Sequence, residues 1–241
     1  MTRRPAENGG GRKDRRMQMV ISLGAVRDGL VAATVVGSMA FGAVGCSGGD
    51  EAPKGDDKFV AGTRLCGGTA VSAAAAESLK TITGASRFEE SDEESTVADA
   101  AKSLMQEFTS SITGDGDICQ VFANDAALSD RLEVTWELTG GPPKGEPASK
   151  FTVLRMGERA LTAADAGAVQ FACRSGKLSG SLPAHIDIGV ERWSPKDPDG
   201  DPEKLKDAYA TVAHSFALAM AKELGCENDG GLETRPSLDP A

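Results

Sequence analysis

The 241-residue sequence has only two histidines, and neither has a second histidine near it in the chain. It has no C-x-x-C pair and no S-x-x-K. Structural zinc sites draw thiolates and imidazoles from short fixed spacings, so no metal and no cofactor is expected. A serine–lysine nucleophile is excluded in the same way. The sequence also lacks an apolar run long enough for a fixed membrane span: the longest uncharged, largely apolar stretch, residues 30–44, counts 15, against roughly 20 for a bilayer. Basic charge is scarce once the first 45 residues are passed. Of 26 Lys/Arg and 36 Asp/Glu, seven basic and three acidic side chains fall in residues 1–45, leaving 19 basic against 33 acidic beyond them. A body of that sign repels phosphate backbones, so nucleic acid is a poor partner.

What is present at the start reads as an export signal. Arg3, Arg4, Arg12, Lys13, Arg15 and Arg16 form a positive leader, and the apolar run after it ends in small residues. At its end stands Ala43-Val44-Gly45-Cys46, followed by Ser47-Gly48-Gly49-Asp50. This resembles the lipobox of bacterial lipoproteins, with Ala43 where leucine is usual. The resemblance implies cleavage after Gly45 and diacylglycerol on the thiol of Cys46, which would hold the chain at the outer face of the cell membrane. Residues 1–45 are then a lipoprotein signal peptide, and 46–58, rich in Gly, Asp, Lys and Pro, a flexible tether. One acyl chain binds a membrane only marginally, whereas two hold it firmly.

With Cys46 assigned to lipid, Cys66, Cys119, Cys173 and Cys226 remain, an even number that in an exported protein implies two disulfides. Four cysteines allow three connectivities. The equal separations of Cys66 from Cys119 and of Cys173 from Cys226 favour sequential pairing without excluding the others.

The period of the apolar residues predicts an α+β domain over 59–229: an antiparallel sheet packed by helices, with a long C-terminal helix. Ser72 suits the N-cap of a helix over 73–83 that Gly84 ends. Residues 87–95 read as an acidic, exposed connection, and Val97, Ala101, Leu104, Met105 and Phe108 recur at helical spacing. Leu132, Val134, Trp136 and Leu138 alternate with polar residues, the mark of a half-buried strand. Further strands are expected over 118–123 and 151–156, around Val169, Phe171 and Cys173, and around Ile186, Ile188 and Val190. Residues 140–147, with three prolines and three glycines, form a loop. Asp201, Pro202 and Glu203 open the last helix and Gly225 closes it; its apolar stripe holds Leu205, Tyr209, Val212, Phe216, Ala219 and Met220. Residues 230–241 are polar and expected to fray.

No local motif carries catalytic chemistry. Asp197, Asp199 and Asp201 invite a calcium loop, but the sixth and twelfth places are Pro202 and Ala208 rather than Gly and Glu, so they read as a turn into a helix. Asp115-Gly116-Asp117 reads as a turn before a strand. His185 and Asp187 share one strand face, as an oriented base would require, yet that face is expected to meet water. The only G-x-S-x-G, at 45–49, lacks the setting of a nucleophile elbow. His214 is expected on the solvent side of the last helix. Trp136 reads as core, and Trp193 as an exposed aromatic that marks either a recognition patch or a loop contact.

Several of these segments together carry a family likeness. The lipobox, Cys66-Gly67-Gly68 before an Ala-rich helix closing at Thr83-Gly84, the second cysteine leading to an alternating strand, and Ala221-Lys222-Glu223-Leu224-Gly225-Cys226 ahead of Asn228-Asp229-Gly230-Gly231 resemble secreted lipoproteins of streptomycete-type actinobacteria. The likeness covers most of residues 46–240. It implies location and disulfides but brings no activity. A looser likeness links 66–138 to actinobacterial lipoproteins of a helix-on-sheet fold. The expectation is a lipid-anchored, non-catalytic module that binds an envelope protein or a small ligand, with an envelope enzyme of dispersed catalytic residues as the alternative.

Overall fold

The computed structural model describes residues 58–123 and 130–241. The leader, Cys46 and the tether up to residue 57 lie outside the described residues. The chain forms β1 (Phe59–Ala61), α1 (Ala73–Thr83), β2 (Arg87–Glu89), α2 (Val97–Phe108), β3 (Thr113–Val121), β4 (Arg131–Thr139), β5 (Thr152–Leu154), β6 (Arg159–Thr162), β7 (Ala166–Cys173), β8 (Ala184–Trp193) and α3 (Pro202–Leu224). Short 3-10 segments cover Gly62–Gly67 and Glu227–Gly231. Strands β3 to β8 make one antiparallel sheet in the order β3-β4-β8-β7-β6-β5, and β1 pairs with β2. This is the expected α+β fold with its long C-terminal helix.

Local chemistry sets the helix ends. Ser72 Oγ accepts from the Ala75 amide at 3.1 Å, and Asp201 Oδ1 accepts from the amides of Glu203 and Lys204 at 3.0 and 3.1 Å. Each satisfies donors that a helix start leaves open. At the far end of α3, Ser175 Oγ donates to the Leu224 carbonyl at 2.6 Å and Lys177 Nζ to that of Glu223 at 2.5 Å. A cation there also suits the helix dipole.

The three described α-helices lie on one face of the six-stranded sheet: α3 runs under β6, β7 and β8, α2 packs on β3 and β4, and α1 packs on α3. The inner face supplies Leu132, Val134, Trp136, Ile186, Ile188 and Val190 to the core. Helix α3 is therefore buried on more than its predicted stripe, since Ala208, Ala210, Ala213, Ala217 and Ala221 are covered as well. Ser215 joins the layers, accepting from the Ser72 amide at 2.9 Å and donating to the Ala70 carbonyl at 2.8 Å. Both disulfides are sequential, Cys66–Cys119 and Cys173–Cys226. Each ties a segment next to a helix to a strand of the sheet.

Four expectations need correcting. Residues 115–117 are not a turn but the middle of β3. Gly114 and Gly116 occupy its inner positions opposite Leu138 and Trp136, and a Cβ on Gly116 would lie 2.8 Å from the Trp136 indole. The missing side chains are replaced by groups from elsewhere. Within 87–95, Arg87–Glu89 is a strand that buries Phe88. His214 is not solvated: it is 3% exposed, because α3 is covered on the side where His214 sits. Residues 230–241 do not fray. Leu232 is buried, Pro240 bridges to Leu154, and the Ala241 amide donates to the Val153 carbonyl at 3.0 Å. The edge of β5 is thereby covered, which an exposed edge strand requires.

Candidate functional site

Among the described residues, no helix lies on the outer face of the sheet. Strand alternation places Glu133, Thr135, Glu137 and Thr139 of β4 there, with His185, Asp187, Gly189 and Glu191 of β8 beside them. Register then draws one row across five strands: Asp115 opposite Glu137, Glu137 opposite Asp187, Asp187 opposite Gln170, and Gln170 opposite Arg159. Three carboxylates, an amide and a guanidinium thus stand side by side, although no two are close in sequence.

The 140–147 loop folds over one end of this row. Gln170 Nε2 donates to Thr139 Oγ1 at 2.6 Å and to the Gly141 carbonyl at 3.3 Å, and an Arg159 guanidinium nitrogen donates to the Gly145 carbonyl at 3.2 Å. Thr139 Oγ1 in turn donates to the Gly141 carbonyl at 2.9 Å. Prolines 142 and 143 cannot join a ladder, so the loop stands up as a wall. Between wall and sheet lies a groove of about 340 Å³ lined by Glu137, Lys144, Arg159, Gln170 and Asp187 among others.

Asp187 is the perturbed group of the groove. Burial under the loop pushes its carboxyl up to about 6, the Glu137 carboxylate opposite adds to the rise, and Arg159 opposes it. A carboxyl in that range exchanges its proton near neutrality. His185 does not serve Asp187. Its Nδ1 lies 2.8 Å from Glu158 Oε2 instead, so the two residues share a face, as expected, without forming a dyad.

Trp193 ends β8 and is 54% exposed. The Arg131 guanidinium, its register partner, sits 5.7 Å from the ring centroid, and Glu133 Oε1 holds that guanidinium at 2.9 Å through Nε. Trp136 is buried, as expected. Asp201 caps α3, in accord with reading it as a turn into a helix. Among the described residues, no group of three or more His, Cys, Asp or Glu is placed to hold a metal, and no helix is long and apolar enough to cross a membrane.

No family model, no curated protein and no solved structure matches this chain. The groove therefore stands on its own geometry. Sequence reading missed it because its members come from separate strands and the loop. One signal was available: Gln170 is a polar residue between Val169 and Phe171 in a strand that is otherwise apolar or small, and it proves to be the latch of the loop.

Proposed function

We propose that this chain is a non-catalytic extracytoplasmic binding module, anchored through lipid on Cys46 and oriented so that the open sheet face receives a partner that presents a basic side chain. The observation that carries the reading is the half-buried Asp187 carboxyl beside Glu137 in a groove walled by the 140–147 loop. An ammonium or guanidinium entering there would compete with Lys144 and Arg159 on the same walls for two carboxylates in a site of reduced dielectric, where charge-assisted hydrogen bonds are strong. Glu191, on the same face beyond Gly189, extends the negative field toward Trp193, while Glu133 opposite it is paired with Arg131. An exposed tryptophan at the end of such a field suits an aromatic anchor in a polar interface. The lipobox-like residues before Cys46, the two disulfides and the acidic body all fit a protein working outside the cell.

The test uses the detergent-extracted full chain and pentalysine as a probe, with Trp193 emission as the readout. Binding should weaken with salt and fall at least about tenfold in Glu137→Gln and Asp187→Asn. Equal affinity in these variants sinks the groove as the site. Anchoring is read separately: Cys46→Ala should move the product from the detergent phase into the medium.

A second reading draws on the same carboxyl. With its pKa raised to about 6, Asp187 is suited to donate a proton to a leaving group in an envelope hydrolase. Turnover of aryl glycosides or esters that vanishes in Asp187→Asn would favour this reading over simple binding.

A further inference from the structure

A second cavity, of about 260 Å³, lies at the opposite edge of the domain from β3, between the turn joining β5 to β6, helix α3 and the C-terminal segment. We infer that it is a binding site for a small oxyanion, gripped by the guanidinium groups of Arg155 and Arg235 beside the buried imidazole of His214.

The walls are fixed by the fold. Cys226, bonded to Cys173, starts the C-terminal segment next to β7. Asn228, Asp229 and Gly230 then turn in the left-handed region, at φ 50°, 51° and 69°. Only glycine fits at 230, because a Cβ there would lie 2.6 Å from the Phe171 ring. The buried Leu232 and the bridge from Pro240 to Leu154 hold the rest of the segment down. Arg235 and Ser237 are thus presented from an ordered stretch of backbone that lines the cavity with Arg155, so only the exposed arginine side chains have to be organised on binding.

The body of the chain is acidic, and six of its other basic side chains stand in ion pairs with carboxylates: Arg64, Lys102, Arg131, Lys150, Arg192 and Lys206. Among the described residues, neither Arg155 nor Arg235 has such a partner and both line one cavity; Lys144 and Arg159 are likewise unpaired in the sheet groove, but there Glu137 and Asp187 offset them. Against them stands the Glu233 carboxylate, so the cavity keeps a positive balance. Guanidinium groups offer paired N–H donors that match the oxygens of a phosphate or carboxylate.

His214 supplies the polar floor. It is 3% exposed and lines the cavity. Its Nε2 lies 3.0 Å from the Glu233 carbonyl, which only accepts, so Nε2 carries the hydrogen and Nδ1 is left as an acceptor. Hydrogen phosphate, which bears both charged oxygens and a hydroxyl, can address the arginines and this acceptor together. The cavity is smaller than the roughly 300–1,000 Å³ of drug-sized sites, which points to an inorganic ion or a compact phosphate ester or dicarboxylate.

The experiment titrates the full chain in detergent with inorganic phosphate, with glycerol 3-phosphate as the soluble stand-in for a lipid headgroup, and with succinate, each against sodium chloride at matched ionic strength. Heat of binding and the ring signals of His214, one of only two histidines, are the readouts. At least one probe should saturate and shift those signals, and the preferred probe identifies the source. Arg155→Ala and Arg235→Ala should each weaken it roughly tenfold or more, and Arg235→Lys should weaken it less. Asp187→Asn, in the separate groove, should leave it unchanged. The inference is overturned if no probe saturates by about 10 mM, or if the alanine variants fold and bind as the parent does.

Discussion

Burial acts on Asp187 and His214 with opposite signs, and that difference is measurable. The Asp187 carboxyl is raised from 3.8 to about 6, by burial first, then by Glu137, with Arg159 opposing. The folded state therefore binds this proton more tightly than the unfolded chain, and the stability it confers is present below about pH 4 and lost as pH rises through 6. The loss is on the order of 2–3 kcal/mol. His214 is lowered from its ordinary value by burial, with Lys222 pushing the same way and the Glu233 carbonyl and carboxylate opposing. Here the unfolded chain holds the proton more tightly, so the contribution is present above about pH 6.5 and lost on acidification. Between pH 4 and 6 the two effects oppose each other. In urea titrations across that range, Asp187→Asn should show stability falling with acid, while His214→Gln should show it rising. Parallel slopes in the two variants would contradict the assignment. At Gly116 the expectation is steric: Gly116→Val drives a side chain into the Trp136 indole and should cost about 1–3 kcal/mol in the same urea assay.

At the scale of elements, Ser215 offers the sharpest test of how the layers hold together. Its hydroxyl serves the Ser72 amide and the Ala70 carbonyl at once, so Ser215→Ala leaves two main-chain groups without that partner. The cost should be about 1–3 kcal/mol, and amide exchange should quicken at residues 70–76 before it does in β8. Helices and the alternating strand β4 were legible in the sequence because their signals are local: Ser72, Gly84, Asp201 and Gly225 act on the turns next to them. β3 was half hidden, since Gly114 and Gly116 look like turn residues until Trp136 and Glu107 are known to fill the spaces above them. β6, a four-residue strand, and β2, whose only buried residue is Phe88, are too short to show a period. The stripe read on α3 was incomplete, and of its members Ala219 is only partly buried. Alanines 210, 213 and 217 carry little apolar signal, yet they are buried as fully as the rest of the stripe. The groove was illegible for a different reason, because register across five strands, not spacing along one, assembles it.

Across the whole molecule, the two disulfides divide the work without interleaving. One closes 66–119 and the other 173–226, each with a separation of 53 residues, so each restricts a separate half of the unfolded chain. On the chain-entropy estimate each contributes about 4 kcal/mol, and with no shared partner their removals should add. Their local consequences differ, however. Cys66–Cys119 fastens the segment before α1 to β3, whereas Cys173–Cys226 fastens the point from which the C-terminal segment sets out to cover β5 and wall the arginine cavity. Replacing Cys173 and Cys226 by serine should therefore lower stability and also weaken phosphate binding. Replacing Cys66 and Cys119 should lower stability by a similar amount and leave binding intact, provided both proteins are assayed well below their melting points. Equal losses of binding in the two double variants would mean that the cavity depends on global stability alone and not on the bridge beside it.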